Sequence, residues 1–187
     1  MNKSKTEILE IQVKYVNHIN RLDKITLNIY AVSNIRYWYW CLANFRKTPN
    51  QYEDIMQMDA LTTSIVISYG RLFGKGTGSS ILSKSAIPTK LQKVHDDIIS
   101  LRHGKYAHHG EHNTLQKNID IQFDGNSFIV TPTINIIFCL GAPKEWEPLF
   151  IWLDEHMHEL VKQKLDFLTH ETGIKWEIPI TPAPHWI

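Results

Sequence analysis

Apolar residues recur at three- and four-residue steps along most of this chain, a spacing that gathers them on one side of an α-helix and confines the fold to packed amphipathic helices. The clearest case is Ile87, Leu91, Val94, Ile98 and Leu101, which alternate steps of four and three around Pro88, a residue suited to a first helical turn. At the other end of the chain, Ser4 followed by Glu7 reads as a capping box. From there Ile8, Ile11, Tyr15, Ile19 and Leu22 begin a stripe that continues through Ile25, Ile29, Val32, Ile35 and Trp38 until Thr48-Pro49-Asn50 stops it. Residues 4 to about 46 are therefore one long helix or two helices with a kink. A second segment is predicted from about Gln51 to Phe73, with Ile55, Met58, Leu61, Thr62, Ile65, Ile67 and Tyr69 on its apolar side. The glycine-rich stretch 74–80 closes it as a flexible surface loop.

Residues 119–140 change character. Ile119, Ile121 and Phe123 alternate with Asp120, Gln122 and Asp124, and Asp124-Gly125-Asn126 turns the chain back into Phe128, Ile129 and Val130, the pattern of a β-hairpin near 119–131. A further extended run, Thr133 to Leu140, is a candidate extra strand. A last helix runs from Lys144 to about Thr172, with Gly173 as its cap. The fold class is thus mainly α: an antiparallel bundle of about four helices near 4–46, 51–73, 88–108 and 144–172, with a β-hairpin inserted before the last one. One domain covers 1–174, and residues 175–187, with Pro179, Pro182 and Pro184, form an extended tail.

Charge excludes one simple function class. Lys+Arg number 20 against 19 Asp+Glu, so no global positive field draws in nucleic acid, and any such contact needs a local patch. No apolar run approaches the roughly 20 residues of a membrane-spanning helix. The charged N-terminus lacks the core of a signal peptide, so a cytoplasmic protein is expected. Cys41 and Cys139 are expected to stay reduced.

The chemistry is concentrated in Leu101-Arg102-His103-Gly104-Lys105-Tyr106-Ala107-His108-His109-Gly110, directly after the clearest helix. Arginine offers phosphate oxygens a planar fork of donors, and an imidazole exchanges protons near neutral pH. Together they suffice to cleave a phosphodiester without a metal or other cofactor. Arg102 and His108 are the candidate catalytic pair; His103, Lys105, Tyr106 and His109 are candidate substrate-binding or supporting residues. On a regular helix Arg102 and His108 would lie about 120° apart. They converge only if the helix breaks, for which Gly104 is suited, or if a two-fold dimer brings two motifs into one cleft. The structural alternative is that Arg102 caps its helix or pairs with Asp96 or Asp97.

Arg102-His103, followed after four residues by His108 in a Tyr-Ala-His context, resembles the arginine–polar–histidine motif of HEPN domains. Ser68-Tyr69-Gly70-Arg71-Leu72-Phe73 likewise resembles a segment of abortive-infection HEPN-like proteins. The resemblance covers roughly 1–112 and the final helix, leaving out the hairpin and tail. It implies a helical bundle, homodimerisation, and a metal-independent endoribonuclease of a toxin–antitoxin or phage-defence system, with RNA as substrate and, in the toxin–antitoxin case, a cognate antitoxin as partner. It implies too, as the alternative, a catalytically silent module that binds a protein, nucleotide or RNA through the same cleft. The tyrosine that antitoxin-modified members carry two residues after the histidine is Gly110 here, so regulation by that modification is not expected.

Three other signals have ordinary readings. His103, His108, His109 and His112 lack a third zinc ligand in clear register, and His156 and His158 read as solvated. The cluster Arg36-Tyr37-Trp38-Tyr39-Trp40 could stack RNA bases, but reads first as core and dimer interface. Residues 74–80 lack the order of a phosphate-binding P-loop and follow a helix rather than a strand.

Overall fold

The computed structural model describes residues 4–48, 50–74, 82–106, 115–136, 142–179 and 182–186. It is mainly helical: α1 (Lys5–Lys14), α2 (Val16–Ala43), α3 (Gln51–Phe73), α4 (Thr89–Leu101) and α5 (Glu147–Thr172), with strands β1 (Leu115–Phe123) and β2 (Phe128–Ile136) between α4 and α5. The architecture is roughly a helical bundle with an antiparallel hairpin before the last helix, as the periodicity predicts.

The first segment is two helices. The capping box forms, Ser4 N–H donating to Glu7 Oε2 at 2.6 Å and Glu7 N–H to Ser4 Oγ at 3.3 Å. The helix then breaks at Tyr15, whose backbone (φ −104°, ψ 18°) leaves the helical region. That break seats the buried Tyr15 ring by the C-terminal end of α5, where His18 stacks on Phe167 at 4.6 Å. The predicted stripe does not enter the core here: Ile8, Leu9 and Val13 are exposed, and α1 buries nothing.

The core begins further along, where Val32, Ile35 and Tyr39 of α2, Ile65, Val66 and Tyr69 of α3, Ile98 and Leu101 of α4, and Leu149, Phe150 and Leu153 of α5 meet. Each fully buried aliphatic or aromatic side chain contributes about 1.5–3 kcal/mol. Asn50 caps α3 by accepting from Tyr52 N–H at 3.2 Å, and buried Asp54 accepts from the backbone and hydroxyl of Thr48 at 3.0 and 2.8 Å. Pro148 sits in the first turn of α5, and Gly173 ends it at φ 62°, a left-handed conformation that favours glycine.

Arg36 of the aromatic cluster lies inside rather than on an RNA-facing surface: its Nη1 donates to Asp154 Oδ2 of α5 at 2.9 Å, with both side chains largely buried. Tyr39 packs in the core, while Tyr37 and Trp40 are covered in part by the tail, through Trp186 (centroids 5.0 Å from Tyr37) and His185 (5.2 Å from Trp40).

The hairpin is longer than the alternation suggests. Thr133–Ile136 extends β2 instead of forming a separate strand; 137–140 lie outside the described residues. Its turn is held by the Asp124 carboxylate, which accepts from Asn126 and Ser127 N–H at 2.9 and 2.7 Å, and by Gly125 at φ 97°. One face pairs Ile119 with Pro132, Ile121 with Val130 and Phe123 with Phe128, all exposed.

The Arg36–Asp154 pair joins α2 to α5 with little access to water, so removing one partner strands a charge. Arg36→Met is expected to destabilise by about 3 kcal/mol in urea unfolding, and the double change Arg36→Met with Asp154→Leu to recover most of it. Equal loss in both variants would show that the pair contributes packing rather than compensation of charge.

Candidate functional site

The site follows from how α4 ends. Its last regular residue is Leu101, and residues Arg102–Tyr106 continue as a single widened π-helical turn containing Gly104. Such turns displace side chains from the register of the preceding helix and occur often at functional positions. This one is pinned to α3 from its far side: Lys105 Nζ donates to Asp59 Oδ1 at 3.0 Å, Tyr106 Oη donates to the same oxygen at 3.1 Å, and the ammonium lies 4.7 Å from the Tyr106 ring centroid. The Lys105 side chain is only 7% exposed. Lys105 and Tyr106 therefore support the turn, and their geometry is not that of groups presented to a substrate.

Arg102 lies across α3 at Gly70. A Cβ at that glycine would fall 2.0 Å from Arg102 Cδ and 2.5 Å from Nε, so only glycine leaves room for the side chain. Glycine inside a helix costs roughly 0.5–1 kcal/mol relative to alanine, a cost with no return in α3 except this close approach. Arg102 Nε is buried and has no hydrogen-bond partner among the described residues. The carboxylates that could have compensated it are engaged elsewhere, Asp96 with Lys84 at 2.6 Å and Asp97 with Lys93 at 3.1 Å. The alternative pairing of Arg102 with Asp96 or Asp97 is thus not formed.

The guanidinium borders a cavity of about 460 Å³ whose lining includes Gly70, Phe73, Lys84, His95, Arg102 and His103. His95 is 5% exposed and sits on α4, seven residues before Arg102. Its Nδ1 is 2.7 Å from the Tyr69 hydroxyl, and Phe73 meets its ring edge-on at 4.5 Å. Burial pushes the Tyr69 hydroxyl far above its ordinary range, so it stays protonated and is the natural donor to Nδ1. Burial lowers the His95 pKa from its ordinary value, with Asp96 opposing and Lys84 adding to the effect.

Among the expected site residues, Arg102 and His103 line this cavity, Lys105 and Tyr106 anchor the turn, and His108 and His109 lie outside the described residues. So does His112 of the histidine run. The two segments quoted for the family resemblance meet here, Tyr69, Gly70 and Phe73 of one against His95 and Arg102 around the other. His95 and Lys84 were not singled out by the sequence. The signal for His95 was its spacing of seven from Arg102, masked by its position beside the apolar stripe. Away from the site, His156 is not simply solvated: it stacks on Trp152 at 4.8 Å, and burial lowers its pKa.

Comparison of the chain with known protein families, curated proteins and solved structures finds no match to any of them. The site is accordingly read from its own geometry.

Two outcomes are expected. Gly70→Ala should leave stability unchanged or raise it by up to about 1 kcal/mol through helix propensity, because the flexible guanidinium arm gives way, while the Arg102 Nε–H resonance moves in NMR spectra. A large loss of stability would mean that the backbone yields instead. His95, depressed in the folded state, contributes stability that is present above the unfolded histidine pKa of about 6.5 and is lost as pH falls through the lower folded value. The thermal midpoint should therefore fall between about pH 7 and pH 5, less steeply in His95→Gln.

Proposed function

We propose that this chain is a HEPN-like, metal-independent endoribonuclease of the defence or toxin–antitoxin kind, acting on RNA as a homodimer. The observation that carries the reading is Arg102: a guanidinium arm laid over a glycine notch at a cavity lined also by Lys84, His95 and His103, with its Nε buried and without an acceptor among the described residues. A buried donor of this kind costs roughly 1–3 kcal/mol unless a ligand satisfies it, and a phosphate oxygen does so with charge-assisted strength.

In this reading His108 takes the proton of a ribose 2′-hydroxyl or, from the partner chain, returns one to the leaving 5′-oxygen. The 2′-oxygen attacks phosphorus, the P–O5′ bond breaks, and the products are a 2′,3′-cyclic phosphate and a 5′-hydroxyl. Arg102 stabilises the charge that builds on the phosphorane, and His103 and His109 orient the strand. A cognate antitoxin would act by covering this cleft. The second reading, a silent module that binds RNA, nucleotide or protein, draws on the Asp59 clasp, which removes Lys105 and Tyr106 from substrate contact.

Cleavage of defined RNAs by the purified protein is the test. Arg102→Ala and His108→Ala are each expected to lower the rate by about 10²–10⁴-fold with the fold intact, and Arg102→Lys to be impaired through loss of the bidentate fork. Chelator should change nothing, the product should carry the cyclic phosphate, and light scattering should report a dimer. Full activity in either alanine variant removes those residues from the mechanism. A chain inactive on every RNA offered is the silent module.

A further inference from the structure

The cavity holds an imidazole that neither the motif nor the dimer is needed to supply. His95 is almost fully buried, yet it lines the open cavity beside Arg102. Its Nδ1 is occupied by the Tyr69 hydroxyl, and the only ring nitrogen left to face a ligand is Nε2. With Tyr69 as donor, the neutral ring carries its proton on Nε2 and presents an N–H. Two donor side chains, the Arg102 guanidinium and His95, thus line one cavity in a poorly solvated place. Lys84 adds positive charge at the rim although it is paired with Asp96, and His103 adds a further ring at the mouth. Phe73, Leu82 and Ile99 supply an apolar wall.

We propose that His95 is a phosphate-binding residue of this site: Tyr69 holds its ring so that Nε2–H, together with the Arg102 guanidinium, grips one phosphate group of a ribonucleotide, within a single chain. The donors suit a group with several acceptor oxygens and negative charge. The cavity, at about 460 Å³, exceeds what a bare phosphate fills, and its apolar wall accommodates the attached ribose or base. His95 acts here by binding and orienting; the proton transfers of the cleavage reaction stay with His108. The proposal rests on the ribonuclease reading for the identity of the ligand's parent molecule, but not for the phosphate contact itself.

The decisive measurement uses the unmodified full chain, with ¹⁵N-labelled imidazoles followed by long-range ¹H–¹⁵N NMR. Titration with inorganic phosphate and with a ribonucleoside 3′-monophosphate is expected to move His95 Nε2 and Arg102 Nε together and saturably, while the unphosphorylated ribonucleoside leaves both in place. In calorimetry the monophosphate should bind at least tenfold more weakly to His95→Gln, Arg102→Ala and Gly70→Ala, and equally well to Lys93→Ala, whose ion pair with Asp97 is elsewhere on α4. Tyr69→Phe keeps the imidazole but frees its orientation, and should weaken binding less than His95→Gln does. Unmoved His95 resonances at saturating monophosphate overturn the proposal, as does undiminished affinity in a folded Gly70→Ala. Phosphate binding with no RNA cleavage leaves the phosphate site standing and refutes the nuclease; cleavage that never perturbs His95 does the reverse.

Discussion

The approach of Arg102 to Gly70 is the contact on which the arrangement of the site depends. It fixes the course of the Arg102 side chain across α3, because a side chain at position 70 would occupy the space of the guanidinium arm. The π turn after Leu101 accompanies it: within Arg102–Tyr106, Arg102 crosses the notch while Lys105 and Tyr106 reach Asp59 about three turns up α3. The Asp59 clasp and the Gly70 notch then act together. One satisfies charge by a compact ion pair, and the other leaves the Arg102 Nε donor without an acceptor among the described residues.

Most of the fold was legible because its helices follow the simplest rule, an apolar stripe with capping signals at its ends. The boundaries of α3 and α5 and the turn at Asp124-Gly125-Asn126 follow from Asn50, Gly173 and the alternation around residue 121. The break at Tyr15 was not legible, since the stripe passes through it without interruption and the cause is a tertiary seat beside α5. Nor was the exposure of α1, because periodicity reports that a helix has an apolar side and not that something covers it.

The site was legible only in part, for a related reason. Arg102 announced itself as a charge at the end of an apolar helix. Lys105 and Tyr106 looked equally available from their polarity, and only the position of Asp59, more than forty residues away, turns them inward. Arg36, beside four aromatics, leaves base stacking open beside the first reading of core and interface, and only Asp154 of the last helix shows that it is held inside. His95 was hidden by its burial, since a histidine among Leu91, Val94 and Ile98 reads as part of the packed face until the Tyr69 hydroxyl and the adjoining cavity are seen.

Several locally unfavourable choices coincide here. A glycine stands inside a helix, a π turn replaces regular helix, an arginine donor is buried without an acceptor, and a histidine is buried in its neutral form. The glycine and the unpartnered donor each cost on the order of 1 kcal/mol, a sizeable share of the 5–15 kcal/mol by which a domain of this size is stable. Departures from local rules gather at functional sites because only there does something outside the folded chain repay them. The seven-residue spacing of His95 and Arg102 adds a consequence for assembly. Both line one cavity of a single chain, so in the proposed reading a phosphate is held without a second copy, and a dimer would be needed only for proton transfer by His108.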